Sequence, residues 1–259
     1  MNQDNFYTVD ERRDLVISKT KEQSIAFATK HFIMCANNAM QRHNAFFVAL
    51  SGGSTPLAIY QALAKEHVTL NWSCVHLFWG DERPVPENHI ESNYYTAMQA
   101  GLATLSIPSK NIHRMVAEQE MEDNAKKYEE KILSHLHLSD SRGFDLVMLG
   151  MGEDGHVASL FPNTKAILET KRWVVANAVP QKNTFRMTIT LPCINAAANI
   201  AIYVMGKTKE SMTTKALISK EKNLHIPASL IGTNVHKALW IADEEAAQGY
   251  LNHCKTNPC

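Results

Sequence analysis

The chain of 259 residues has no excess of charge of either sign, because 26 Lys and Arg balance 26 Asp and Glu. Nucleic acids and anionic membranes attract positively charged proteins, so the composition offers no electrostatic case for either partner. No uninterrupted apolar run approaches the thickness of a bilayer, and the polar first residues lack the apolar segment of a secretory signal. These absences predict a cytoplasmic protein with no nucleic-acid or membrane partner.

Cysteine is scarce and widely spaced. The five cysteines include no CxxC pair and no pair with the spacing of zinc ligands, which favours free thiols in a reducing compartment. The twelve histidines also lack local ligand spacing. We therefore predict no metal site and no cofactor, although residues distant in sequence can still converge in a fold.

Repeats, low-complexity segments and linkers rich in Pro, Gly or Ser are absent too. The apolar content of 45% is ordinary for a globular protein with a substantial core. The prediction is a single domain over residues 1–259, with its core at about 22–245.

Helix-like and strand-like segments alternate along this domain. Strand-like runs lie at residues 45–50, 75–79, 144–149, 173–179, 186–191, 199–205 and 238–242, and helix-like stretches at 22–41, 56–65, 92–102, 118–138 and up to 218. The alternation predicts an α/β fold, namely a single-domain Rossmann-like, mostly parallel sheet with helices on both faces. The two runs that follow residue 173 are close enough to form a local antiparallel excursion.

The most informative segment is FDLVMLGMGEDGHVASLFP, at residues 144–162. An apolar strand is closed by glycines at 150 and 152, and a polar cluster with Asp154 and His156 follows, before what looks like a helix start. Open α/β folds bind ligands at this carboxyl edge of the sheet. His156 can exchange a proton near neutral pH, which makes it the candidate general base.

A second strand exit carries the loop SGGSTP, at 51–56. Ser51, Gly52, Gly53, Ser54 and Thr55 combine close backbone approach, hydroxyl groups and the start of a helix, which together suit a phosphate. A simple tight turn with Ser54 or Thr55 as helix cap explains the loop equally well. The motif matches neither a dinucleotide-binding nor an ATP-binding fingerprint.

Candidate cations follow or lie on other strands. Arg83 ends the cluster Asp81-Glu82-Arg83, and either binds a ligand or belongs to a surface salt-bridge turn. Arg186 and Lys207 are further candidate phosphate ligands, each weak alone. The joint pattern of phosphate loop, arginine, histidine and lysine at strand exits carries the weight.

These residues resemble the 6-phosphogluconolactonase family. The shared motifs are SGGSTP at 51–56, GDERPVP at 80–86, SNY at 92–94, GMGEDGHVASLFP at 150–162, RMTITLPCIN at 186–195 and GK at 206–207. The resemblance spans roughly residues 46–231. Val157 stands where the family often has Thr, which does not touch the expected chemistry.

The resemblance implies hydrolysis of 6-phospho-D-glucono-1,5-lactone to 6-phosphogluconate, a step of the oxidative pentose phosphate pathway, without metal or cofactor. His156 would activate the water, and Asp154 would either orient its imidazole or cap a following helix. Arg83 would serve either the oxyanion or the phosphate. The loop at 51–55, with Arg186 and Lys207, would hold the phosphate of this small phosphosugar lactone.

Two alternatives share the fold. Glucosamine-6-phosphate deaminases carry a similar phosphate loop and a DGH, but typically continue into a segment resembling IAFNEP, where this chain has VASLFP. Non-catalytic sugar-phosphate sensors usually follow a DNA-binding helix-turn-helix, for which some 44 residues before the first expected strand leave little room. The oligomeric state stays open.

Overall fold

The computed structural model describes residues 5–65, 70–138, 143–219 and 222–256. The strands are β1 (Asn5–Thr8), β2 (Arg13–Ser18), β3 (Phe46–Leu50), β4 (Val75–Trp79), β5 (Asp81–Glu82), β6 (Ile112–His113), β7 (Leu146–Gly150), β8 (Val174–Val179), β9 (Thr184–Ile189), β10 (Ile200–Val204) and β11 (Ala238–Asp243). The α-helices are α1 (Lys21–His43), α2 (Ser54–Lys65), α3 (Asn93–Gln99), α4 (Met121–Leu138), α5 (Leu191–Asn195), α6 (Glu210–Ile218) and α7 (Glu244–Thr256).

The main sheet has eight strands in the order β1-β2-β11-β10-β7-β3-β4-β6. All neighbours pair in parallel except β1, which runs antiparallel to β2. Every residue of β3 and β10 is buried, as expected for central strands of a sheet covered on both faces. The predicted α/β fold with a mostly parallel sheet is confirmed.

A small antiparallel sheet, β5-β9-β8, stands beside the main one. It begins directly after β4, where Gly80 donates to the carbonyl of Leu50 and accepts from the N–H of Ile189. The antiparallel excursion predicted after residue 173 is therefore present. The two residues of β5 were too few to show a strand pattern in the sequence.

The prediction that the first strand begins at residue 45 is wrong, because β1 and β2 precede it. The sequence around β2 contains several charged residues, so its short apolar run did not indicate a strand. Arg13 itself is buried, since its guanidinium pairs with Asp10 at 2.6 Å and donates to the main-chain carbonyl of Ala216. Because its charge and its donors are paired, this arginine can occupy a buried position in a strand, although a charged residue in the sequence suggests a loop.

The buried apolar side chains form one core cluster that includes residues of both sheets and of α1, α2, α4 and α7. The single-domain organisation stays a prediction, and this continuous core is compatible with it. Cys35, Cys74 and Cys193 are free thiols as expected, whereas Cys254 is disulfide-bonded, which the sequence interpretation missed.

Candidate active site

A cavity of about 570 Å³ opens at the carboxyl ends of β3, β4, β7 and β10. Parallel strands bring their carboxyl ends to one edge of the sheet, so side chains from distant parts of the sequence meet there. The cavity is lined by nearly all of the residues expected from sequence, namely Ser51, Gly52, Gly53, Ser54, Thr55, Arg83, His156 and Arg186. Two expected residues are not among those that line it: Asp154, which contacts Nδ1 of His156, and Lys207.

The loop after β3 is held in place by a buried tyrosine. The hydroxyl of Tyr60 donates to the carbonyl of Ser51 at 2.8 Å and accepts from its N–H at 3.0 Å. Ser51 Oγ accepts from the N–H of Gly150, which ties the loop to the exit of β7. Helix α2 begins at Ser54, two residues earlier than predicted, so its N-terminal N–H groups lie at the cavity. This geometry suits an anion.

The acidic residues of the Asp81-Glu82-Arg83 cluster form a scaffold. Glu82 is buried and accepts hydrogen bonds from the main-chain N–H groups of Arg83, Asn93 and Tyr94 at 2.8–2.9 Å. Burial raises the pKa of Glu82, and these hydrogen bonds oppose the rise only in part. The carboxylate thereby fixes the segment that carries Arg83.

Asp81 fixes the neighbouring segments. Its carboxylate accepts from Ser159 Oγ at 2.6 Å and from Asn93 Nδ2 at 3.1 Å. Because Asn93 begins α3 and Ser159 follows the histidine turn, Asp81 connects three parts of the cavity wall. The interpretation of Asp81-Glu82-Arg83 as a surface salt-bridge turn is not what the structure shows.

Arg83 and Arg186 both line the cavity with unpaired donors. Nε of Arg83, and Nε and Nη1 of Arg186, are buried without a hydrogen-bond partner among the described residues. Burial, followed by the charge of Arg83, lowers the pKa of Arg186 from its ordinary value. A buried guanidinium donor without an acceptor costs folding free energy. Such donors are therefore expected where a bound anion supplies the acceptor.

Lysines also approach the cavity, though not at the position expected. Lys207 is exposed and pairs with Glu210 at 2.5 Å. Lys209, two residues later, lines the cavity, as does Lys182. Gly206 has a φ of +88° and is followed by a 3-10 turn at Lys207–Lys209, which brings the second lysine rather than the first to the cavity.

The histidine turn is compact. Asp154 Oδ1 lies 2.5 Å from Nδ1 of His156 and also accepts from its main-chain N–H at 3.2 Å. The imidazole stacks on the ring of Phe161, with centroids 4.0 Å apart. Burial raises the pKa of Asp154, but the hydrogen bonds and charge of His156 outweigh it, so the pKa lies below its ordinary value.

The helix expected after His156 is absent from residues 156–162, which form turns, and isolated bridges join Val157 to Met151 and to Leu160. Of the two roles left open for Asp154, capping a following helix is therefore excluded. Asp154 instead contacts the imidazole that it would orient.

The model of the family described as glucosamine-6-phosphate isomerases/6-phosphogluconolactonase matches residues 19–240. The chain belongs to this family. The resemblance seen in the motifs is thereby confirmed over most of the chain.

Three relatives named for the same activity illustrate the similarity. A 6-phosphogluconolactonase from Chlamydia pneumoniae is 40% identical over 90% of this chain and 88% of its own length. One from Chlamydia muridarum is 36% identical over 93% of this chain and 92% of its own. The crystal structure of 6-phosphogluconolactonase from Thermotoga maritima superposes with a TM-score of 0.75 at 27% identity, covering 88% of this chain and 98% of that one.

Sequence inspection did not assign five of the residues that line the cavity. Lys209 and Lys182 carried no motif, whereas Phe161 and Asn93 belong to motifs already quoted. Tyr203 was counted only as an apolar residue of a strand, yet it lines the cavity and its buried hydroxyl has no partner among the described residues. Burial raises the pKa of Tyr203, which keeps the hydroxyl a donor.

Within the described part of the chain, no helix is long and apolar enough to cross a membrane.

Proposed function

We propose that the protein hydrolyses 6-phospho-D-glucono-1,5-lactone to 6-phosphogluconate. One observation carries the proposal: His156, which is paired with Asp154, shares a cavity with the buried, unpaired guanidinium donors of Arg83 and Arg186. A general base and an anion site in one cavity are what a phosphorylated lactone requires. The names of the relatives agree with this substrate.

His156 acts as the general base. Asp154 Oδ1 accepts a hydrogen bond from Nδ1 of His156, so Nδ1 carries the proton and the lone pair lies on Nε2. Nε2 removes a proton from water as the water oxygen bonds to the lactone carbonyl carbon. When the bond between that carbon and the ring oxygen breaks, the imidazolium returns the proton to the ring oxygen, which becomes a hydroxyl group.

The oxyanion that forms during attack requires donors that are already in place. The N–H groups of the Gly52–Gly53 segment and the guanidinium of Arg83 are the candidates at the cavity. Arg83 Nη1 already donates to the carbonyl of Glu91 at 2.6 Å, which holds the side chain in one orientation. The buried Nε of Arg83 has no partner among the described residues, so we propose that it donates to the substrate, either at the oxyanion or at the phosphate.

The phosphate is held by the N-terminus of α2, with Arg186 and a lysine as cationic partners. The helix N-terminus offers N–H groups and a positive dipole end, and Arg186 offers two buried donors. Lys207 was the lysine expected from sequence, and we propose Lys209 in its place because it lines the cavity. Hydrolysis of an activated ester of this kind needs neither a metal nor an organic cofactor. We also propose that the protein is located in the cytoplasm.

A comparison of three substrates tests the proposal. Fresh phosphogluconolactone should be hydrolysed well above its spontaneous rate. For unphosphorylated gluconolactone, kcat/KM should fall by about 100-fold or more, because each lost charge-assisted contact costs roughly 1.5–3 kcal/mol. Ammonia release from glucosamine 6-phosphate, without lactone hydrolysis, would overturn the proposal in favour of a deaminase.

A further inference from the structure

Three histidines from separate parts of the sequence meet outside the active site. His76 lies on β4, His113 on β6 and His135 on α4, and one ring nitrogen from each lies within 4.8 Å of the other two. None of them lines the active-site cavity. His76 is near the amino end of its strand, whereas the active site lies beyond the carboxyl end of the same strand. The cluster is therefore a separate feature of the fold.

The spacing of two of these nitrogens matches a metal-bound pair. His76 Nδ1 and His113 Nε2 are 3.4 Å apart. A tetrahedral zinc ion with Zn–N bonds of about 2.0–2.1 Å holds two nitrogens about 3.4 Å apart. The third nitrogen lies within 4.8 Å of the other two, so a shift of up to about 1.4 Å in a half-buried side chain completes the set.

The third imidazole already has the hydrogen bond that a metal-binding histidine uses. His135 Nδ1 lies 2.8 Å from the carbonyl oxygen of Lys131, one helical turn earlier. When Nδ1–H donates to this carbonyl, the lone pair lies on Nε2. A backbone carbonyl that fixes the tautomer and the ring orientation is a recurrent partner of zinc-bound histidine.

The rings are packed by their neighbours. His113 stacks on Phe78 with centroids 4.3 Å apart, and the rings of His76 and His113 are nearly parallel, at 11°. Burial, and then the charge of His135, lower the pKa of His76 to about 4 and that of His113 to about 3. This packing holds His76 Nδ1 and His113 Nε2 next to each other.

We propose that His76, His113 and His135 form a binding site for a divalent late transition metal, with Zn²⁺ as the occupant. Three imidazoles and one water complete a tetrahedral shell, and imidazole suits zinc better than Mg²⁺ or Ca²⁺. The ion would join the short edge strand β6 and helix α4 to β4. Its role is to stabilise this edge of the sheet, because the site lies apart from the groups that act on substrate.

The test uses metal-free protein without an affinity tag. Titration with Zn²⁺ in competition with a chromogenic chelator gives the stoichiometry and the affinity, and titration with Co²⁺ gives a visible spectrum that reports the coordination. The variants are His135→Ala and His76→Ala, both of half-buried residues, with His236→Ala as the matched control. Circular dichroism establishes that each variant is folded. Lactone hydrolysis is measured in parallel, so that failure of the site and failure of the proposed function are distinguishable.

We expect one equivalent of Zn²⁺ in the wild type and in the control, with the visible spectrum of four-coordinate Co²⁺. Affinity should fall by about 100-fold or more in either cluster variant, since loss of a supporting residue alone costs 10–100-fold. Zn²⁺ should raise Tm in wild type and control but not in the cluster variants, and chelation should leave hydrolysis unchanged. Absence of stoichiometric binding, or binding that survives both cluster substitutions, would overturn the proposal.

Discussion

The imidazole of His156 occupies the space that a side chain on Gly152 would need. A Cβ built on Gly152 would lie 2.1 Å from His156 Nδ1 and 2.7 Å from Asp154 Oδ1. Real Cβ atoms do not make such contacts, so any larger residue must displace the histidine or the aspartate. The glycine of the turn is therefore part of how the base is positioned.

Gly152→Ala should lower kcat by about 100-fold or more, approaching the effect of removing a general base. The matched control is Gly150→Ala, because a Cβ there meets only the carbonyl of Gly52 at 3.7 Å and Ser51 Oγ at 3.8 Å. Steady-state kinetics on folded variants makes the comparison. Equal losses in the two variants would show that crowding near His156 is not the cause.

Glu82→Gln should destabilise the protein by roughly 1–3 kcal/mol. Both carboxylate oxygens accept hydrogen bonds from main-chain N–H groups, so either orientation of an amide turns its NH₂ toward a donor. Glu87→Gln is the control, because its side chain is 60% exposed and its ion pair with Arg114 is a surface one. Urea unfolding measures both, and similar stabilities would contradict the scaffold role.

Lys209→Ala should raise KM more than Lys207→Ala does, with little change in kcat for either. The phosphate keeps its charge throughout the reaction, so a phosphate ligand contributes to uniform binding. Lys209 lines the cavity, whereas Lys207 is paired with Glu210. The reverse order of KM values would restore Lys207 as the phosphate ligand.

His31→Leu should make stability less sensitive to acid. Burial lowers the pKa of His31 to about 4, and its Nδ1 has no partner among the described residues. Between about pH 6.5 and pH 4 the unfolded chain holds a proton at this residue that the folded chain does not, so stability falls as the pH falls. The slope of unfolding free energy against pH should decrease by about 1.4 kcal/mol per pH unit within this window. Identical slopes for the variant and the wild type would contradict the burial effect.

The strand exits at the cavity could be predicted from sequence because β3, β4, β7 and β10 are short apolar runs that end at or within two residues of a glycine. Since these strands are parallel, their exits meet, and the positions of His156 and Arg83 follow from that rule. Arg186 lies within β9 of the small antiparallel sheet, so the rule does not explain its position at the cavity. The choice between Lys207 and Lys209 could not be made, because it depends on the backbone turn at Gly206.

Other features escaped for different physical reasons. Strand β2 contains Arg13, whose burial depends on a distant carbonyl at Ala216. The role of Asp154 depended on whether a helix follows His156. The histidine cluster depends on the pairing of β4 with β6, which joins segments that no spacing rule connects.

The central claim is that His156 activates the attacking water, and kcat of the folded His156→Ala variant tests it most directly. Hydrolysis of fresh phosphogluconolactone is followed after subtraction of the spontaneous rate, and the Kd of 6-phosphogluconate is measured on the same protein. We predict that kcat falls by about 10²–10⁴-fold while Kd stays nearly unchanged, because the imidazole acts mainly in the transition state. Near-normal turnover in the folded variant would contradict the account.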